Sequence, residues 1–291
     1  MGKKQGVSVA FVLMAGALWG TTGLLQALTP AGTPPLTVGS VRVVVASVIM
    51  LAFCLLKRGP GFLKKTRPGP LITAVAGMMG YQFAFFSALR LTGVSVGTMI
   101  AIGAIPMFAG FLGATLEGQP LSRRWWLSTA VAVTGCVLLS LGGQRGDLSI
   151  QWGGVALAFL AALSSAFLGL GLKRQSDSVG PLEATTVTLA GSALVGLVVL
   201  FLWDSSWIFT ARGALIGAAL GIGTMALPFT AFSYGLRNLR MGDAYTLALV
   251  EPLTACALSA AFLGERLATV SMVGGALIIL GILLLSVSRE R

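Results

Sequence analysis

The sequence predicts an all-α integral membrane protein with ten transmembrane helices in two inverted five-helix repeats. Three observations carry that expectation: long apolar runs, a one-sided distribution of cations, and motifs that recur after half the chain. Of the 291 residues, 56% are hydrophobic and 10% are charged, against about a quarter charged in an average soluble domain. A bilayer core takes roughly 20 mostly apolar residues per helix. Ten stretches fit: 7–28, 36–56, 71–92, 95–116, 125–142, 151–172, 182–203, 213–235, 244–263 and 270–288. Turn-forming sequence separates many of them, as in Thr29-Pro30-Ala31-Gly32, Gly59-Pro60-Gly61, Arg67-Pro68-Gly69-Pro70 and Gly142-Gly143. The longest connection, 57–70, leaves no room for a soluble domain.

The cations set the orientation. Of 20 Lys and Arg, fifteen fall on the side that holds both termini and three (Arg145, Arg212, Arg266) on the other, with Arg42 and Arg90 inside spans. Lys and Arg accumulate on the cytoplasmic side of membrane helices, so both termini are expected in the cytoplasm of a multi-pass protein of the cytoplasmic membrane. The same bias accounts for the net charge of +11, and no nucleic-acid partner is expected. The apolar run after Lys3-Lys4 continues to Leu28, too long for a secretory signal, so 7–28 reads as a retained first helix.

Composition also narrows the chemistry. The chain has no histidine, and its three cysteines (Cys54, Cys136, Cys256) lie singly in separate apolar stretches. Neither a Ser–His or Cys–His nucleophile nor a zinc cluster is expected. No Gly-rich phosphate loop is present, so ATP-driven transport within the chain is not expected either. An enzyme is not expected, nor is a metal or cofactor.

Two copies of one pattern run through the sequence. Ala88-Leu89-Arg90 precedes a span with a central Ile105-Pro106, and Gly235-Leu236-Arg237 precedes another with Glu251-Pro252. Each is followed by a turn with a glutamate, Leu116-Glu117-Gly118 and Leu263-Gly264-Glu265. The halves are 1–143 and 144–291. Five spans per copy is an odd number, so the second copy enters the membrane from the opposite face. Inverted repeats of this kind are typical of secondary transporters with a midplane site.

Ala17-Leu18-Trp19-Gly20, Ser40-Val41-Arg42, and Glu251-Pro252 with Leu263-Gly264-Glu265-Arg266-Leu267 give the chain a family likeness. Over its whole length it resembles the EamA-type drug/metabolite transporter superfamily. The resemblance implies a small-molecule carrier, often an exporter of amino acids or related metabolites. Ile105 stands in the first half where the second has Glu251.

Polar groups inside a membrane are costly, so each needs a reason. Glu251 is the one carboxylate expected well inside a span, about seven residues or roughly 10 Å from its cytoplasmic end. It reads either as a site for a cationic group or proton, or as a cap for backbone freed by Pro252. That proline removes its own N–H and crowds the carbonyl of Ala248. Arg42 is expected in the outer half, where it would bind an anionic group, snorkel to the outer surface or bond to helix-end carbonyls; a direct pair with Glu251 is not the obvious arrangement. Trp125, Trp126, Trp152, Trp203 and Trp207 fall at span ends as an interfacial belt. Trp19, Tyr81, Gln82 and Phe85 are mid-span and form the expected pocket wall, with Ser164, Ser165 and Thr254 adding hydroxyls. Tyr234 and Tyr245 lie near cytoplasmic ends, which suits anchoring or an inner gate. Pro106, Pro228 and Pro252 are candidate hinges, and Gly16-xxx-Gly20 and Gly217-xxx-Gly221 mark close helix approach.

Together these readings predict a carrier that moves a small polar or amphipathic metabolite, foremost an amino acid, outward by alternating access. The partners are the substrate, the lipid bilayer and, through Glu251, protons as a coupling ion; one monomer is sufficient to form a pathway. The alternatives are a channel-like pore or a carrier for another metabolite or drug.

Overall fold

A computed structural model describes residues 3–142, 151–263 and 268–286. Among them the chain forms ten helices long and apolar enough to cross a membrane, and no strand. Helix α1 (Lys3–Gly20) is interrupted at Thr21, whose hydroxyl donates to the Leu18 carbonyl at 2.7 Å, and continues as Thr22–Gln26. Then follow α2 (Pro35–Arg58), α3 (Pro68–Thr92), α4 (Val94–Leu116) and α5 (Arg123–Gly142). The second half holds α6 (Trp152–Val179), α7 (Pro181–Leu202), α8 (from Ala211 to Leu236), α9 (from Met241 to Leu263) and α10 (Thr269–Ser286).

The sequence accounts for most of these boundaries. Pro35, Pro68 and Pro181 open their helices, where the missing N–H costs nothing and φ is already helical. Gly93 and Gly180 are one-residue links between α3 and α4 and between α6 and α7. Their φ values of +78° and +95° lie in the region open to glycine. Several helices exceed their expected spans, and two of the extensions matter for the site and the basic end. Helix α6 runs on to Val179, and α9 starts at Met241 rather than 244, which brings Asp243 into the helix.

Helix contacts follow a two-fold plan in which each helix corresponds to the one five later. The contact of α3 with α6 is matched by α8 with α1, and that of α4 with α6 by α9 with α1. Three contacts are their own counterparts: α2 with α7, α4 with α9, and α5 with α10. Small residues allow the closest ones, as expected where lipid removes the hydrophobic drive for association. A Cβ on Gly77 of α3 would sit 2.6 Å from the Ser164 carbonyl oxygen of α6. Gly135 of α5 and Gly274 of α10 face each other so closely that a Cβ on either would lie 2.6 Å from the other's carbonyl oxygen.

The end of the bundle where α1 begins and α10 ends carries most of the cations and is called the basic end. Several of them cap the C-termini of other helices, where backbone carbonyls lack intrahelical partners. Lys173 Nζ donates to the Leu236 carbonyl at 2.7 Å and Arg124 Nε to that of Leu284 at 2.9 Å. Arg174 pairs with Glu117 at 2.7 Å and donates to the Leu116 carbonyl at 3.0 Å.

Backbone cannot retreat from an added methyl group, so Gly77→Ala is expected to lower stability in detergent by about 1–3 kcal/mol. Gly103→Ala, whose Cβ would meet only Val133 at 3.7 Å, is expected to be neutral or slightly stabilising. Thermal unfolding of the two variants side by side checks both.

Candidate functional site

The site is built around two irregular helices. Pro252 has no N–H to offer the Ala248 carbonyl, and α9 breaks at Leu249 into Met241–Ala248 and Val250–Leu263. Glu251 is the second residue of the second segment. Because α9 begins at Met241, Glu251 lies about 15 Å along it, deeper than the roughly 10 Å expected from sequence and close to the middle of a bilayer core. Helix α1 covers the break with its glycines. A Cβ on Gly16 would lie 2.9 Å from the Ala248 carbonyl oxygen, and one on Gly20 would lie 2.7 Å from that of Glu251. The Gly16-xxx-Gly20 spacing therefore lets two backbones meet at the interruption. Thr254 donates its hydroxyl back to the Val250 carbonyl at 3.0 Å, a bond within its own segment.

The second irregular helix is α8, in which Ile222–Ala226 is a π-helical turn between Ala211–Gly221 and Leu227–Leu236. Such turns arise where the regular ladder is disturbed, and Pro228 supplies the disturbance by withholding an N–H from the Thr224 carbonyl. Arg42 of α2 reaches this carbonyl. Its Nη2 lies 3.4 Å from the Thr224 oxygen and 3.6 Å from Met225 Sδ, while its Nε is buried without a partner. The carbonyl that Arg42 contacts belongs to the π-helical turn within α8 and not to a helix end. Gly217 and Gly221 of α8 face α2 at Val41 and at Val45 and Ala46, which brings Arg42 to the turn.

Arg42, Tyr81 and Glu251 lie within electrostatic reach of one another, with Cys136 of α5 in reach of Glu251. No ion pair within 4.0 Å joins Arg42 to Glu251. Arg42, Tyr81, Glu251 and Trp19 are all half-buried, although they lie deep within their helices. An aromatic path runs from Trp19 through Phe232 to Tyr245, with ring centroids 5.3 Å and 4.9 Å apart, and Phe229 meets Trp19 edge-on at 5.0 Å. Tyr81 stacks on Phe85 at 5.2 Å.

Other candidates are placed differently. Tyr245 is no interfacial anchor: it is buried, and its hydroxyl donates to the Ser165 carbonyl of α6 at 2.5 Å. Tyr234 stacks on Phe11 at 5.5 Å, away from the α9 break and toward the basic end. Gln82 is buried against Gly39 of α2, its Nε2 3.8 Å from Met79 Sδ. Ser164 packs against Gly80 in the α3–α6 contact. Pro106 leaves α4 continuous, so the paired prolines do not produce paired breaks. Gly264 to Leu267, the turn after α9, lies outside the described residues.

Sequence reading missed Phe229, Phe232, Asp243 and the π-helical turn. Phe229 and Phe232 are three apart and share a helix face, a signal that Pro228 could have prompted. Asp243 is buried in the first turn of α9, where it lines a small cavity with Gln119, Trp125 and Arg240. Among the described residues no group of three His, Cys, Asp or Glu could hold a metal ion.

Removing the guanidinium takes a charged donor from the Thr224 carbonyl, so Arg42→Met is expected to cost about 1–3 kcal/mol. In a Pro228→Ala background, which restores a backbone donor for that carbonyl, the same substitution is expected to cost less. Thermal unfolding of the four proteins in detergent gives the coupling; additive losses would show that Arg42 and Pro228 act separately.

Comparison with known proteins bears on the identity of the chain. The model of the EamA-like transporter family matches it twice, at residues 6–141 and 152–287. The chain is 36% identical over 294 residues to the uncharacterized transporter YwfM of Bacillus subtilis (strain 168), covering 99% of this chain and 96% of that one. It is 26% identical over 238 residues to the aromatic amino acid exporter YddG of Ancylobacter novellus, covering 80% of each. A crystal structure superposes with a TM-score of 0.84 over 97% of both chains at 20% identity, which shows a shared fold. With its two matched halves, each of five spanning helices, the chain belongs to the EamA-like transporter family.

Proposed function

We propose that the protein is a secondary carrier that moves small polar or amphipathic metabolites, foremost amino acids, outward across the cytoplasmic membrane. The observation that carries this reading is that Glu251, Arg42 and Tyr81 lie within electrostatic reach of one another, with Glu251 at the break in α9. A carboxylate and a guanidinium that are near but not in contact leave both charges available to a ligand with charges of its own. The Trp19, Phe229 and Phe232 rings offer an apolar surface next to them. The match to an aromatic amino acid exporter supports the substrate class.

Five spans per half place the second half upside down relative to the first, so the two-fold contact plan has its axis in the membrane plane. Such halves give a carrier two related conformations around one site. The polar links between helices support reading the present conformation as closed to the cytoplasm, with the basic end facing inward. At that end Arg174–Glu117, Lys173 to Leu236, Arg240 to Pro120 at 2.9 Å and Asn238 to Ser8 at 2.9 Å tie helices together. Toward the other end, the side-chain links between helices among the described residues are those of Arg42 and of Ser271, whose hydroxyl donates to the Leu139 carbonyl at 3.3 Å.

Counterflow of labelled amino acids into proteoliposomes tests the reading. The wild type is expected to show saturable counterflow that responds to an imposed pH gradient. Glu251→Gln is expected to keep exchange but lose the response to the gradient. A variant that still responds would remove Glu251 as the proton site. Flux that never saturates would favour a channel, and no counterflow of any amino acid by folded protein would remove that substrate class.

A further inference from the structure

The cations of the basic end fall into two groups. Lys173, Arg174, Arg124 and Arg240 are engaged with helix-end or turn carbonyls. Those of the α2–α3 connection are mostly not. Residues 57–70 hold Lys57, Arg58, Lys64, Lys65 and Arg67 with no acidic residue among them. Arg58 pairs with Glu183 at 3.6 Å; Lys57, Lys64, Lys65 and Arg67 are exposed and have no acidic partner among the described residues. The segment is held in place nonetheless. Gly59 turns the chain at φ +71°, a short helix Gly61–Lys65 follows, and Phe62 buries its ring in a cluster with Cys54 and Val187. Leu56, at 84% exposure, and Leu63, at 47%, stand bare beside the cations.

A fixed platform of cations with exposed leucines, at the end of two membrane helices, matches the boundary between headgroups and acyl chains. Lysines and arginines clustered next to a span attract anionic lipids, and their stems and neighbouring leucines can remain in the apolar layer. We propose that the α2–α3 connection is a binding surface for the phosphate headgroups of anionic phospholipids. Lys64, Lys65 and Arg67 make the contacts, and Phe62 anchors the platform. The proposal concerns the lipid around the bundle and stands independently of what the carrier moves.

Native mass spectrometry of the full chain in neutral detergent, with phosphatidylglycerol and phosphatidylcholine supplied in equal amounts, tests it. The wild type is expected to retain phosphatidylglycerol with at least about tenfold preference. Lys64→Gln/Lys65→Gln/Arg67→Gln should bring that preference to within about twofold of unity. Lys4→Gln/Arg123→Gln/Arg237→Gln removes the same charge from other exposed sites and should leave the preference intact. Equal loss in both triple variants, or none in the first, would overturn the proposal. So would inorganic phosphate displacing the lipid at equal concentration. Lys64→Arg/Lys65→Arg should retain the preference; should the first triple variant fail to fold, Lys65→Gln alone is expected to lower it by about twofold, and no change there would also overturn it.

Discussion

In the hydrocarbon layer a backbone carbonyl has no water to turn to, so each one freed from its helix must find a partner in the protein. Two prolines impose this condition at the centre of the bundle. Pro252 interrupts α9, and α1 packs its backbone closely over the break at Gly16 and Gly20. Pro228 accompanies a π-helical turn in α8, and Arg42 of α2 reaches its Thr224 carbonyl. The residues packed against the two irregularities come from other helices, α1 at the break in α9 and α2 at the π-helical turn, so both irregularities are part of the contacts that join helices at the centre of the bundle.

That arrangement sets the chemistry of the centre. An arginine occupied on one side by a carbonyl still has an unpartnered Nε, and a carboxylate stands in its field without touching it. Aromatic rings from α1 and α8 border the same region, and Tyr245 ties it to α6 through the Ser165 carbonyl. The links at the basic end are mostly charge-assisted bonds to helix termini and turns, interactions of modest size that a conformational change can break and remake.

Much of this was legible in the sequence. The ten spans follow from length and hydropathy, the effect of Pro252 on the Ala248 carbonyl follows from the missing N–H, and Gly16-xxx-Gly20 announced a close approach. What was not legible depends on which helices become neighbours. Spans that are apolar all round carry little amphipathic signal to show which face turns inward. Nothing in the local sequence of Arg42 points to Thr224, 182 positions away. A start of α9 at 244 instead of Met241 makes Tyr245 look interfacial. The same start leaves Asp243 outside the helix. The two halves share a proline at related positions, yet only the second helix breaks, because α4 runs through Pro106 without interruption.

The most direct measurement is the labelling of one cysteine placed at Thr254, one turn beyond Glu251, after Cys54, Cys136 and Cys256 are replaced by alanine. A membrane-impermeant maleimide is applied in turn to each face of sealed vesicles, with and without substrate. A carrier with its site at the α9 break should be labelled from the outer face first and gain labelling from the cytoplasmic face when substrate is present. Labelling from neither face would show that the break is sealed structure and not a transport site. Equal labelling from both faces at once would show an open pore.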